Sequence, residues 1–183
     1  MDEQIEFMKL IASRLDSVQI PYMMTGSMAM AIYSIPRMTR DVDVVVEVKP
    51  ADVIKIVGLF SKDCYIDQDS VRDAVHDHGM FNIIHNDWLI KADFIVRKDQ
   101  DYRRKEFARR KNINIDGVLI SVVAAEDLIL SKLVWAKQSR SGFQISDVRQ
   151  MTSTVSDLDW KYMKKWAAVL RVDDLLQKGE PNE

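Results

Sequence analysis

The segment from Asp41 to Val48 most constrains the fold of this 183-residue chain. Every second residue of the segment is a valine: Val42, Val44, Val46 and Val48. The other positions begin with two acids, Asp41 and Asp43, and alternation with period two is typical of a β-strand. Because alternate side chains of a strand point to opposite faces, the two carboxylates are predicted to project side by side from a face opposite the valines.

A Gly-Ser pair precedes this strand, and its spacing from the two acids indicates a functional site. Thirteen residues separate Ser27 from Asp41, and the intervening segment predicts a helix over 27–34 that Pro36 ends. Backbone amides at the beginning of a helix bind phosphate oxygens, and paired carboxylates bind Mg²⁺. The combination predicts a metal-dependent phosphoryl or nucleotidyl transfer site. The alternative is that Asp41 and Asp43 are solvent-exposed acids at the beginning of a strand, since an Asp-x-Asp pair alone is common there.

A third acid lies in a later predicted strand, residues 88–97. Its apolar face is formed by Ile90, Ala92, Phe94 and Val96. Asp93 shares the other face with Lys91, and a carboxylate in the middle of an apolar strand is costly unless it is compensated. Asp93 is therefore predicted to be a metal ligand or a general base. The alternatives are an edge-strand acid that faces water, or one paired with Lys91 or an arginine.

These motifs together resemble the nucleotidyltransferase superfamily, which has the polymerase-β-like fold. The resemblance covers residues 20–97 and consists of Gly26-Ser27, Arg37-x-Thr39-x-Asp41-x-Asp43 and the later Asp93. Within this superfamily, the chain most resembles the small prokaryotic branch that includes abortive-infection and toxin–antitoxin nucleotidyltransferases. Many relatives carry two glycines at the turn, whereas the serine here adds a hydroxyl.

The resemblance implies a role for each of these residues. It implies that Asp41, Asp43 and Asp93 are the catalytic triad and bind two Mg²⁺ ions, and that Gly26 and Ser27 hold the triphosphate of an NTP such as ATP. Arg37 and Thr39 would contact phosphate, or only brace their loop.

Two residues of the last third of the chain are also implied by the resemblance. Residues 126–137 predict a helix with acids in its first turn, and a second helix is predicted to begin near Gln144. In the branch that the chain resembles, an inward lysine and a later aspartate of this region face the nucleotide. The matching residues are Lys132 and Asp147. A surface lysine and an aspartate at a helix start are the ordinary alternative.

The charge of the chain is unevenly distributed. Residues 97–111 contain eight basic residues and three acids, or +5, which leaves −7 for the remainder of a chain whose net charge is −2. Broad nucleic-acid binding is disfavoured by that net charge. The basic segment predicts either a solvated helix or a site for an RNA acceptor or acidic partner.

The predicted architecture is α+β: a small mixed β-sheet with flanking helices over residues 1–123, followed by a helical region, 124–183, packed on that core. The further predicted elements are a helix over 2–18, strand 22–25, a helix from Pro50, a short helix 70–77, strands 79–85 and 88–97 joined by a tight Asn86-Asp87 turn, one or two strands within 112–123, helices from Ala124 through 158–170 and near Leu175, and a disordered tail from Gly179.

Composition indicates a cytoplasmic protein. Cys64 is the only cysteine, so no intramolecular disulfide forms, and the three histidines are not in a zinc-binding spacing. No signal peptide or membrane-length apolar run is visible.

The sequence thus predicts an enzyme that transfers an NMP from an NTP to an acceptor hydroxyl and releases pyrophosphate. A toxin-type enzyme is compatible with this prediction. The acceptor (RNA, a protein or a small molecule), the NTP used and the oligomeric state stay open. The alternatives are a phosphohydrolase with the same metal pair, and a non-catalytic nucleotide-binding or toxin–antitoxin partner protein.

Overall fold

The computed structural model describes residues 2–35, 41–139 and 142–179. Its strands are β1 Tyr22–Thr25, β2 Asp41–Val46, β3 Cys64–Ile66, β4 Met80–His85, β5 Lys91–Val96, β6 Lys111–Ile115 and β7 Val118–Val122. Its helices are α1 Asp2–Ser17, α2 Gly26–Tyr33, α3 Val53–Phe60 with a 3₁₀ turn at Pro50–Asp52 before it, α4 Gln68–Asp77, α5 Asp101–Ala108, α6 Ala125–Ser139, α7 Gly142–Thr154, α8 Trp160–Leu170 and α9 Asp173–Gln177.

The strands form one mixed sheet in the order β3-β4-β5-β2-β1-β7-β6. The central strand β2 runs antiparallel to β1 and parallel to β5. This pairing places Asp43 opposite both Thr25 of β1 and Asp93 of β5, and it places Asp41 opposite Lys91. The predicted α+β class and mixed sheet are confirmed.

One face of the sheet is buried under helices of the first half of the chain. Alternate residues of β2 and β5 are buried, as the period-two pattern predicted. On that face Phe94 stacks on Phe81 with ring centroids 5.0 Å apart, and Phe60 of α3 meets Phe94 edge-on at 5.6 Å. From α1, Phe7 packs edge-on against His85 of β4 at 5.5 Å. These aromatic contacts fix α1 and α3 on the valine face, so the acids lie on the other face.

The helices after β7 are continuous with the rest of the core. Leu128, Ile129 and Leu133 of α6 belong to the same buried cluster as the residues of the sheet. Helix α6 packs against α2, α7 and α8, and the hydroxyl of Tyr33 in α2 donates to the carbonyl of Val123 at 2.7 Å. The predicted division at residue 123 therefore marks a change of element type within one hydrophobic core. None of the helices in the described ranges has the length and apolar character needed to cross a bilayer.

Two local predictions were wrong, and one strand was missed. The tight Asn86-Asp87 turn is a five-residue connection, because the amide of His85 bonds to the carbonyl of Ile90 at 3.0 Å and β5 begins only at Lys91. The short edge strand β3 was missed, since three residues are too few to show a periodic pattern. Gly179, assigned to a disordered tail, is hydrogen-bonded to Leu176 at 2.9 Å, while residues 180–183 lie outside the described ranges.

Candidate active site

Asp41, Asp43 and Asp93 lie on the same face of the sheet. All three occupy the partly buried positions of strands whose alternate residues are buried, and Asp43 and Asp93 are directly opposite each other on adjacent parallel strands. The valines of β2 force this arrangement, because a shift by one residue would turn the apolar positions away from the core. The side-chain parity predicted from the sequence is thus the one observed.

Gly26 brings the beginning of α2 against Asp43. Its φ of +66° lies in the left-handed region, which favours glycine. An added Cβ would also lie 2.6 Å from Asp43 Cγ and closer still to Asp43 Oδ2. Either constraint alone selects glycine at this position. Ser27 follows as the second residue of the helix and is buried in the wall of the same site.

The acids are electrostatically coupled at Asp43. Burial, and after it the neighbouring carboxylates of Asp93 and Asp41, raise the pKa of Asp43 to about 6, against the opposing charges of Lys132 and Lys91. A cation bound to this cluster would relieve the repulsion. Asp41 and Asp43, adjacent on one strand face with oxygen donors only, fit a hard divalent cation.

Asp93 is already engaged by protein donors. Lys91 Nζ lies 3.0 Å from Asp93 Oδ2 and 4.0 Å from Asp41 Oδ2, and Asn82 Nδ2 donates to Asp93 Oδ1 at 2.8 Å. The pairing with Lys91 that the sequence left as an alternative is therefore present. Within the ranges that the structure describes, no three His, Cys, Asp or Glu side chains are gathered as a metal cage.

Lys132 and Asp147 form a buried ion pair between α6 and α7. Lys132 Nζ lies 2.6 Å from Asp147 Oδ2, and both side chains are buried. Lys132 lines the site, and its charge opposes the rise in the pKa of Asp43. Asp147 is not among the described residues that line the site, so it lies behind Lys132 and orients it. Arg37 and Thr39 lie outside the described residues.

The acids open into a cleft of about 600 Å³. The sheet supplies one wall, and the facing wall comes from α5 and α6. The α6 wall contains Leu128, Ser131, Lys132, Val134, Trp135 and Gln138. Trp135 is 57% exposed although it is a large aromatic residue, so its ring is accessible from the cleft. It follows Lys132 by three residues, a spacing that places both on one helix face, and this signal was present in the sequence.

Four of the eight basic residues of the basic segment form ion pairs with acids of the protein. Arg97 Nε bonds to Glu47 at 2.9 Å, and Arg103 bonds to Glu106 at 2.7 Å. Further ion pairs of the segment join Arg97 to Asp99, Arg104 to Asp99 and Asp101, and Arg109 to Glu126 and Asp127. Arg97, Lys98 and Arg103 nevertheless line the cleft, a role that sequence reasoning missed because it treated the segment as one surface. The segment is also not a single helix, since Lys111 begins β6.

Solved structures share this fold, although no protein-family model and no curated protein sequence matches the chain. An antigenic nucleotidyltransferase-like protein from Paracoccidioides brasiliensis has a TM-score of 0.63 and 18% identity, over 98% of this chain and 93% of that one. The antibiotic-resistance factor ANT(2″)-Ia has a TM-score of 0.63 and 13% identity, over 97% of each chain. The lincosamide antibiotic adenylyltransferase LnuA has a TM-score of 0.53 and 10% identity, over 85% of this chain and 98% of that one. The chain therefore has a nucleotidyltransferase-like fold, as the resemblance implied.

Proposed function

We propose that this protein is a Mg²⁺-dependent nucleotidyltransferase that transfers an NMP from an NTP to an acceptor hydroxyl and releases pyrophosphate. The observation that carries the proposal is the pair of carboxylates on β2, opposite Asp93, with the beginning of α2 packed against Asp43. The likeness of the whole fold to nucleotidyltransferases supports the same reaction class.

Asp41 and Asp43 are the residues that would hold Mg²⁺. When bound, the ion neutralises phosphate charge and polarises the phosphorus that is attacked. The first backbone amides of α2 and the hydroxyl of Ser27 donate to phosphate oxygens, where the positive end of the helix dipole also favours an anion. Lys132 adds a fixed positive charge on the facing wall, because Asp147 holds it there.

The transfer itself exchanges one P–O bond for another. The acceptor oxygen forms a bond to the α-phosphorus, and the bond from that phosphorus to the bridging oxygen of the β-phosphate breaks, with its electron pair leaving on pyrophosphate. Asp93, on the same face as the other two acids, takes the acceptor proton. Positioning and charge neutralisation supply most of the catalysis in such reactions.

We further propose that the acceptor is a small hydroxyl-bearing molecule. Arg97, Arg103 and Arg109 are engaged in internal ion pairs, so these three guanidinium groups are less available to bind a phosphate backbone. The exposed ring of Trp135 and the apolar residues beside it offer a surface for an organic molecule. LnuA and ANT(2″)-Ia, which share the fold, are an antibiotic adenylyltransferase and an antibiotic-resistance factor. A toxin-type role with an RNA or protein acceptor is the competing prediction.

Incubation with each α-³²P-labelled NTP tests this proposal. The full-length protein is supplied with Mg²⁺ and, separately, with total RNA, with protein extract and with a small-molecule extract. Label in the small-molecule fraction, with one pyrophosphate released per transfer, is expected; label in RNA or protein would assign the acceptor to those classes instead. Release of inorganic phosphate would indicate a phosphohydrolase.

The double variant D41N/D43N is the matched negative control for this assay. It is expected to fold, since both side chains lie on the polar face, and to transfer no label. Nucleotide binding by the wild type without any transfer or pyrophosphate release would favour the non-catalytic alternative. Full transfer by the double variant would eliminate the proposed site.

A further inference from the structure

We infer that Lys91 is a built-in cation of the acidic cluster, so that the site takes one divalent cation, on Asp41 and Asp43, rather than two. This inference rests on the proposed function, because it concerns the metal content of the same site. It differs from the two ions expected from the sequence resemblance.

The contacts of Asp93 are the first support. Each of its carboxylate oxygens already accepts a hydrogen bond, Oδ1 from Asn82 at 2.8 Å and Oδ2 from Lys91 at 3.0 Å. A second divalent cation on Asp93 would have to share Oδ1 with Asn82 or Oδ2 with Lys91, and on either oxygen it would be repelled at short range by the Lys91 ammonium group. Asp93 is thus held by two protein donors, and Asp41 and Asp43 lie side by side on the same face of β2.

The strand register fixes Lys91 in this position. Lys91 lies two residues before Asp93 on β5, so both side chains leave the same face of the sheet. It is also directly opposite Asp41 on β2, and its Nζ lies 4.0 Å from Asp41 Oδ2. The ammonium group is therefore held between the first and third acids, by one ion pair within β5 and one from β5 to β2.

The charges of the cluster favour a single ion. Lys91 reduces the negative charge that the three carboxylates present to bound cations. Lys132, which is paired with Asp147 at 2.6 Å on the opposite wall, also acts on Asp43 and so further reduces the negative charge of the cluster. Without Lys91 the three acids would carry a further uncompensated charge, and a second divalent cation would become favourable.

Counting bound Mn²⁺ tests the inference without any need for turnover. Native mass spectrometry of the full chain with Mn²⁺ and a non-hydrolysable ATP analogue gives the number of ions per complex. The EPR spectrum of the same sample shows whether two Mn²⁺ ions are close enough to couple. We expect one ion and an uncoupled spectrum for the wild type, and two ions with a coupled spectrum for Lys91→Met, which removes the charge but keeps the length of the side chain.

Two further variants isolate the charge of Lys91. Lys91→Arg keeps the charge and should retain one ion. Lys98→Met removes a charge that lines the same cleft but lies beyond the end of β5, and this variant should also retain one ion. Two ions in the wild type, or one ion in Lys91→Met with an unchanged melting temperature, would overturn the inference. A wild-type complex with the analogue but no Mn²⁺ would overturn the proposed metal-dependent function, and the inference with it.

Discussion

Asp43 is the residue at which folding and the proposed chemistry conflict. Because burial and its neighbours raise its pKa to about 6, the folded protein binds a proton there that the unfolded chain, with an ordinary pKa of 3.8, has released. The metal-free protein should therefore lose stability as the pH rises from about 4 to about 6, and the cost should persist above that range. Asp43→Asn removes it, and in EDTA at pH 8 should stabilise the fold by about 2 kcal/mol.

Urea unfolding of Asp43→Asn and the wild type at pH 4 and pH 8 measures this effect. The difference between the two proteins should be small at pH 4, where the wild-type carboxyl is protonated. Asp41→Asn is the matched control, since the Asp41 side chain is half exposed and its replacement should change stability less. An equal difference in the free energy of unfolding at both pH values would show that ionisation of Asp43 does not destabilise the fold.

Gly26 gives a second prediction at the scale of one residue. Gly26→Ala should destabilise the fold by about 2 kcal/mol or more, because alanine is strained at positive φ and its methyl group would displace Asp43. Gly58 of α3 is the control, since a Cβ there meets nothing within 4 Å. Gly58→Ala should stabilise the helix by up to about 1 kcal/mol. Thermal unfolding compares the two, and equal effects would contradict the role assigned to Gly26.

At the scale of elements, Arg109 joins three helices. Its Nε donates to Asp127 of α6 at 2.8 Å, and its guanidinium lies 3.9 Å from the ring centroid of Tyr162 in α8. Asp127 is fully buried, so Arg109→Ala would leave that carboxylate with less compensation and should cost about 2 kcal/mol of stability. Arg104→Ala, at an exposed pair in α5, should cost at most about 0.5 kcal/mol.

Chemical denaturation of the two arginine variants measures both costs. Similar losses would contradict the structural role of Arg109. The comparison also bears on RNA binding by the basic segment. Replacing Arg103, Arg104, Arg109 and Arg110 together would break the internal ion pairs of Arg103 and Arg109, so weakened RNA binding in such a variant would not identify an RNA site.

The sequence predicted those elements whose pattern follows from local geometry. Alternation placed Asp41, Asp43 and Asp93 on the right face, because a strand with buried valines has only one register that suits the core. The pairing of Arg103 with Ser131 at 2.6 Å could not be predicted, since it joins residues 28 positions apart through the packing of α5 on α6. The same limit applies to the orientation of Lys132 by Asp147 across two helices.

At the scale of the whole molecule, the cleft depends on both halves of the chain. The sheet supplies the acids and α6 supplies the facing wall, while Trp166 of α8 packs against Tyr102 of α5 with centroids 5.2 Å apart. A shared core predicts that residues 1–123 and 124–179 unfold together. Variants that retain only Trp88, beside Phe7 in the first part, or only Trp166 report on each part separately.

The fluorescence transitions of the two single-tryptophan variants in urea are expected to coincide. Bound ligand should shift both transitions to higher urea concentration. At a concentration of 100 times its Kd, a Mg²⁺–nucleotide analogue adds about 2.7 kcal/mol to the stability of the state that binds it. For a chain of this size that corresponds to a rise in Tm of about 5–10 °C. Because the proposed site is built from both walls, the rise should be the same for the two reporters and should disappear in D41N/D43N. A shift seen by Trp88 alone would mean that α6 contributes nothing to the bound state, and that the nucleotide is held by the sheet and α2 only.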